Sequence, residues 1–408
     1  MSSGPPPVER VELLGLAGGE WDAIVPALLA ELGEPRYRSR QLREWVFRKT
    51  PADFAGMSDL PAALRLRLAE IAVLHPLRLL EERVSRDGTR KYLWERAGSG
   101  PIESVMIPED FEEESPAESD DERGPDEEAG PDREAGAAPR SRVSRSPSGA
   151  KRSRTTYCLS TQAGCPVRCT FCATGYGGFE GQLSAAEIVD QVVLMRPLCG
   201  RAPTNLVFMG MGEPLLNFPA TMGALEVLCD PEGIGMGARR ITVSTVGVRE
   251  RIAELGRRFP QVKLALSLHA ARSEVRSEII PLDRKFPLAE VVGEVREHAR
   301  ITGKMPTFEY VVLPGVNDAR DDARAIVRLL EGLPSRVNLI EFNPFPGVDY
   351  QKPSVQRMEE FRRWIQADGF PGSVTIRRSR GEDIHGACGQ LSLAAGNAAT
   401  ARSATPEA

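Results

Sequence analysis

The stretch "GCPVRCTFCATG", Gly164 to Gly175, sets Cys165, Cys169 and Cys172 in a CxxxCxxC spacing with no fourth cysteine close by. Soft thiolates in a short loop select either zinc or an iron-sulfur cluster. Structural zinc takes four protein ligands in a closed tetrahedron, usually from two CxxC pairs. No second CxxC and no nearby histidine accompany this run. A four-iron cubane can instead take three thiolates and leave its fourth iron open to a substrate. The triplet therefore reads as an open, reactive cluster, with a zinc-binding RNA protein of no enzymatic activity as the rival.

Working outward, a β-like run "TTYCLST" precedes the cysteines, and a helical stretch "SAAEIVDQVVLM" follows, its start marked by Ser184 and Glu187 at capping-box spacing. The alternation repeats through "TNLVFMG", "RITVST", "VKLALSL", "TFEYVVL" and "VNLIEFN". Six such units imply parallel strands with crossover helices, an open or closed α/β barrel. In barrels the chemistry gathers at the C-terminal ends of strands. Those ends carry "GMGEPLLN" with Gly210, Gly212, Glu213 and Pro214, then Ser244, then Ser267, Leu268 and His269 in "LSLHA", then Asn343 in "EFNPFPG". Glycines let backbone approach a ligand closely, and Glu213 can accept from an ammonium group. Taken alone, that motif is a tight turn with a surface glutamate. A lone histidine at a strand end is more often a hydrogen-bonded structural residue than a catalyst, and Cys158 and Cys388 are by composition spare thiols.

N-terminal to the barrel lie helical patterns in "EWDAIVPALLAELG", "SRQLREWVFRKT" and "LPAALRLRLAEIAVL", where Leu42, Trp45 and Val46 share one face. Arg36, Arg38, Arg40, Arg43, Arg48 and Lys49 make this piece basic, a candidate for phosphate contact. Two β-like runs, "RKYLWERA" and "PIESVMIPE", follow. From Glu109 to Ala150 there are fourteen acidic and five basic residues, so the net charge of −5 hides a remainder of +4. Rich in Pro, Gly and Ser and nearly free of large apolar side chains, that segment cannot offset its own ordering entropy. The organisation read from the sequence is a helical RNA-binding accessory domain at 1–80, a β-hairpin-like connector at 81–108, a disordered insertion at 109–153, the barrel at 154–391 and a disordered tail at 392–408. No run of 18 apolar residues and no basic-then-apolar leader is present, so a soluble, unexported protein is expected. Seven cysteines, three of them at metal spacing, do not form a secreted disulfide framework, which fits a reducing cytoplasm.

Phe171 completes CxxxCx(aromatic)C, and from there onward the chain resembles the radical S-adenosylmethionine (SAM) enzymes. That resemblance implies a partial (β/α)6 barrel, a 4Fe-4S cluster on Cys165, Cys169 and Cys172, and SAM held by Gly212, Glu213, Ser244, Ser267, Leu268, His269 and Asn343. The run CxSxQxGCxxxCxFC starting at Cys158, with "ACGQL" around Cys388, further resembles the RlmN/Cfr family of RNA adenine methyltransferases across nearly the whole chain. By that resemblance Cys388 carries a methyl group, Cys158 removes a ring proton, a transient disulfide joins the two, and Glu103 in "GPIESVMIPE" is a proton acceptor near the substrate. The implied partners are 23S rRNA and tRNA, methylated at adenine carbon 2, and an external electron donor such as flavodoxin; a monomer and no membrane contact are expected. The rival within the family methylates carbon 8.

Overall fold

The computed structural model describes residues 10–97, 99–110 and 153–391. The expectations for the tail 392–408 and for most of the insertion lie outside the described residues.

Ten strands form one sheet. Three are antiparallel: β1 (Leu77–Val84), β2 (Arg90–Arg96) and β3 (Ser99–Asp110). β4 (Ser153–Cys158) pairs antiparallel with β3, placing Val105 opposite Cys158. From β4 onward every pairing is parallel, through β5 (Asn205–Phe208), β6 (Ile241–Thr245), β7 (Lys263–Ser267), β8 (Thr307–Val312), β9 (Arg336–Glu341) and β10 (Val374–Arg377). The strands stand side by side in chain order, and β10 pairs with β9 alone, so the barrel is open. The six expected parallel strands are present. β10 adds a seventh, and the region expected as a connector supplies three strands that extend the sheet beyond β4.

Parallel strands covered by helices on their outer face read as apolar runs, and Leu264, Ala265 and Leu266 of β7 are accordingly buried. The crossover helices are α4 (Ala185–Cys199), α5 (Phe218–Cys229), α6 (Arg251–Arg258), α7 (Leu288–Thr302), α8 (Arg320–Leu329) and α9 (Val355–Ala367). α4 begins at the capping box the sequence suggested: Ser184 Oγ accepts from Glu187 N at 3.1 Å, and Glu187 Oε2 accepts from Ser184 N at 2.8 Å. Gly200, at φ +68°, ends it. At the far edge, β1 is guarded by Arg78, Glu81, Glu82 and Arg83, charges that discourage a further strand from pairing.

Three N-terminal helices, α1 (Gly18–Glu31), α2 (Arg38–Glu44) and α3 (Ala62–Ile71), bury Trp21, Val25, Leu29, Leu42 and Leu68 in a core continuous with the barrel's. Leu42 and Val46 are fully buried, but Trp45 lies at the rim and donates its ring N–H to Asp59. Charge also seals the seam. Arg43 is buried against Asp230 and Glu232 from the loop after α5, and Arg48 donates to the Pro231 carbonyl. His75 Nδ1 lies 2.7 Å from an Asp190 carboxylate oxygen of α4 and its Nε2 2.8 Å from the Pro51 carbonyl. Among the described residues no helix is long and apolar enough to cross a membrane.

Candidate active site

The cysteine loop is a pinched excursion from the end of β4. Gln162–Gly164 and Phe179–Gln182 pair antiparallel at its base, and Cys165 N donates to Gly178 O at 2.7 Å. Gly164 sits at φ +69°, and a Cβ there would stand 2.0 Å from the Gly178 oxygen, so the closure demands glycine. Inside the loop Cys172 N donates to Cys169 O, and Thr170 N to Ile279 O. Cys165 and Cys169 are buried and Cys172 is half-buried. Burial, then the neighbouring Cys172, pushes the Cys165 thiol up to about 12 and raises Cys169 well above the ordinary range. Thiols held up in this way become thiolates only beside positive charge, which a bound metal centre would supply. Among the described residues no three His, Cys, Asp or Glu side chains converge on a point as one metal ion needs. A cubane, whose ligands bind separate irons, does not ask for that convergence. The donor set fits a cluster.

The rest of the signature braces this loop against the glycine-glutamate turn. Ser160 Oγ accepts from Met211 N at 2.7 Å and donates to the Glu103 carbonyl. Gln162 Oε1 accepts from Glu213 N at 2.7 Å, and its amide donates to Gln182 at 2.8 Å. Gly212, at φ +101°, packs on Gln162, where a Cβ would come within 2.5 Å. Glu213 is buried, and the sequence's bland alternative, a surface glutamate, does not apply. Its carboxylate accepts from Leu215 N, Val246 N and the Thr245 hydroxyl, while burial outweighs these bonds and pushes it up to about 7. A carboxylate has about four lone-pair sites, so one remains for a further donor.

At the next strand ends Ser244 Oγ and Ser267 Oγ stand 3.2 Å apart, and Leu268 N and His269 N both donate to the Glu309 carbonyl. His269 has φ +57°; its Nδ1 accepts from Val311 N at 3.0 Å, its carbonyl accepts from Asn317 at 2.6 Å, and its ring meets Phe171 edge-on at 4.7 Å. An accepting Nδ1 makes the ring neutral, and burial, with Arg276 adding, pushes it down to about 3. Arg276, which the sequence did not single out, is buried with Asp283 and donates to the carbonyls of Val246, Ser267 and Leu268. It ties the ends of β6 and β7 into one rim.

Asn343 faces the C-terminal loop: its amide donates to Cys388 O at 3.2 Å and accepts from Ser379 Oγ at 2.6 Å. Ala173 N donates to Gly389 O at 2.7 Å, and Thr174 donates to the Leu391 carbonyl, so "ACGQL" is docked on the cysteine loop. Cys158 and Cys388, 230 residues apart in sequence, thereby line one cavity of about 630 Å³ together with Met209, Arg154 and Arg377. All seven cysteines are free thiols. Glu103 is buried and paired with Lys91 at 2.9 Å, on the same face of β3 as Val105; the cavity wall does not include it. Of the six basic N-terminal residues, Arg43 and Arg48 hold the barrel, and Arg38 and Lys49 have partners within their own domain. Arg36 and Arg40 are exposed.

Residues 159–330 match the Radical SAM superfamily, and residues 20–74 match the ribosomal RNA large subunit methyltransferase N-terminal domain. A protein of Syntrophomonas wolfei described as a probable dual-specificity RNA methyltransferase RlmN is 38% identical over 94% of this chain and 98% of its own. The dual-specificity RNA methyltransferase RlmN of Halorhodospira halophila is 40% identical over 95% of this chain and 94% of its own. The crystal structure of a radical SAM methyltransferase from Sphaerobacter thermophilus superposes with a TM-score of 0.78 at 39% identity, covering 94% of this chain and 99% of that one. The three-thiol loop, the helical N-terminal domain and the near full-length relatives agree: this chain belongs to the RlmN family of radical SAM RNA methyltransferases, enzymes of a 4Fe-4S cluster and SAM.

Proposed function

We propose that the protein methylates carbon 2 of a specific adenine in 23S rRNA and of the adenine next to the anticodon in some tRNAs, with Cys388 as methyl carrier and Cys158 as base. The observation that carries this reading is the meeting of Cys158 and Cys388 on one cavity wall beside the cysteine loop. Carbon 2 lies between ring nitrogens and is not nucleophilic, so an electrophilic methyl cannot reach it directly. When bound, the cluster and SAM supply a 5′-deoxyadenosyl radical and, in a separate encounter, the methyl group.

Cys165, Cys169 and Cys172 would hold the cluster. Glu213 offers its remaining acceptor site to the amino group of SAM. Gly212, Ser244, Ser267, Leu268 and His269 form the rim around it, the neutral His269 ring having only its Nε2–H to give. Asn343 contributes by fixing the Cys388 carbonyl. Cys388 would hold the methyl as a thioether; that methyl would lose one hydrogen atom to the deoxyadenosyl radical, and the methylene left would bond to the ring carbon, linking protein to RNA. Cys158 would take the ring proton as the adduct returns one electron to the oxidised cluster; its sulfur then attacks that of Cys388, the Cys388 carbon–sulfur bond breaks and the proton passes to the departing carbon, leaving a disulfide and the methylated base. Glu103, held by Lys91 behind the cavity, is a second proton acceptor. An external electron donor such as flavodoxin reduces the enzyme.

The two thiols fail differently. Cys388→Ala removes the carrier, so no methyl reaches protein or RNA. Cys158→Ala leaves the carrier and blocks release, so protein joined to RNA through Cys388 accumulates, seen as a nuclease-sensitive shift in a denaturing gel. Turnover in either variant, or the same RNA-free behaviour in both, overturns the assignment. Mass spectrometry of the modified nucleoside separates carbon 2 from carbon 8.

A further inference from the structure

Arg377 ends β10, on the open side of the barrel where no strand pairs across to β4. Its side chain reaches over the gap, Nη1 lying 3.8 Å from Met209 Sδ just beyond the end of β5. It lines the cavity with Cys158 and Cys388, and its charge acts on both sulfurs. The other cavity cations are placed differently: Arg154 lies 4.0 Å from Glu109 at the outer wall, and Arg378 and Arg380 are exposed. Glu309 of β8 also faces Arg377; one carboxylate oxygen accepts from Asn338 at 3.1 Å and the other has no hydrogen-bond partner.

We propose that Arg377 is a positioning residue shared by the two thiols: its guanidinium lines one cavity with both sulfurs, and methylation of Cys388 leaves its charge to Cys158 alone. This rests on the carrier and base roles proposed above. A thiolate that accepts a methyl cation becomes a neutral thioether, so the cavity loses one negative charge at that step. Before it, Cys158 is held protonated by burial first and by the charge of Cys388 second, against the pull of Arg377 and of the Met209 N–H; its thiol stands at about 12. After it, the second cause is gone and the pull remains. A protonated Cys158 is a poor nucleophile, so the methyl goes to Cys388, and the base becomes available only once the methyl is loaded.

The test labels the anaerobic holoenzyme, whose cluster protects its ligands, with brief iodoacetamide pulses from about pH 7 to about 12.5, a span that reaches the Cys158 midpoint, and reads Cys158 by peptide mass spectrometry. In Cys388→Met, where a neutral thioether replaces the thiol, Cys158 should label about tenfold faster at a pH below its midpoint, corresponding to a midpoint about one unit lower. Arg377→Met should raise that midpoint, Arg377→Lys should restore it, and Arg377→Met with Cys388→Met should lose the gain. A change in the high-pH plateau alone, with unmoved midpoints, would mean access and not charge, and overturns the proposal. The mass of the Cys388 peptide after incubation with SAM is read separately. A midpoint shift without a methyl on Cys388 removes the carrier reading and leaves the thiol coupling. A methyl without the shift removes the coupling alone.

Discussion

The seam between the N-terminal helices and the barrel, and the mouth of the barrel, use buried charge in opposite ways. At the seam Arg43 meets Asp230 and Glu232, and both nitrogens of His75 face acceptors. Around the mouth Glu213 is pushed up to about 7 by burial, two free thiols share a cavity, and Glu309 keeps one oxygen without a partner. Paired buried charges are costly to break and fix one geometry. Groups left short of partners are kept ready for something that arrives later, which is why perturbed groups gather at functional sites. The seam serves the fold and the mouth serves the ligands.

The largest effect that should separate them comes from a cluster ligand. Cys169→Ala removes one of three thiolates, so iron, sulfide and deoxyadenosine formation should fall to background from about four iron and four sulfide per chain. The melting temperature of the iron-free protein should barely move relative to the iron-free parent, because only one small side chain of the loop is lost. Retained iron and radical formation would remove the cluster assignment, and an iron-free protein that fails to fold would erase the distinction between mouth and seam.

A seam substitution should do the reverse. His75→Leu strands Asp190, which also accepts from Leu77 N at 3.1 Å, and should cost about 3 kcal/mol in stability, as breaking a buried pair does. Iron content and thiol chemistry per folded molecule should be unchanged. The pH dependence gives a sharper reading. Burial would lower His75, but the hydrogen bond and charge of Asp190 and the Pro51 carbonyl overcome it and raise the group. Its contribution is therefore fully present below the unfolded histidine value of about 6.5 and is lost as pH rises through the higher folded value. Urea denaturation at several pH values should show the parent losing stability across that window and His75→Leu with a flatter profile. Parallel profiles would mean that His75 is neutral in the folded protein.

The sequence made some of this legible and hid the rest, for physical reasons. The cysteine spacing, the capping box at Ser184 and the glycine-glutamate turn are local patterns, each encoded within a few residues, and each stands where the pattern put it. Side chains that act over distance left no local signal. Arg276 looks like any helical arginine until three carbonyls converge on it, and Arg43 looked like a phosphate contact until Asp230 and Glu232 came from 187 and 189 residues away. β10 has only Val374 and Ile376 as apolar residues and runs straight into Arg377 and Arg378, so it did not stand out. Ser160 and Gln162 were readable only as letters of a motif; their partners, Met211 N and Glu213 N, lie across a strand crossover. Arg377 belongs to the same class, because a cavity that closes only after β10 and the Cys388 loop are in place has no signature in the chain.

The smallest effect is expected where neither seam nor mouth is touched. Asp110 ends β3 and Ser153 begins β4, and the two are partners in the antiparallel ladder, so the chain between them leaves and returns at adjacent points. Deleting Phe111 to Ser148 leaves Gly149, Ala150, Lys151 and Arg152 to join them, and a loop of about four residues is a common connection between antiparallel strands. The register from Val105 opposite Cys158 outward should survive, and with it the position of Cys158 against Cys388. The deleted residues are strongly acidic and nearly free of large apolar side chains, so the core should not notice their loss and RNA binding should not weaken. Cluster content and methylation rate should stay within about twofold of the parent, the scale of surface changes of roughly 0.5 kcal/mol, and the melting temperature within about 3 °C. If the shortened protein instead folds with its cluster and loses RNA methylation, the acidic segment takes part in substrate handling, and the contrast between seam and mouth would need a third region.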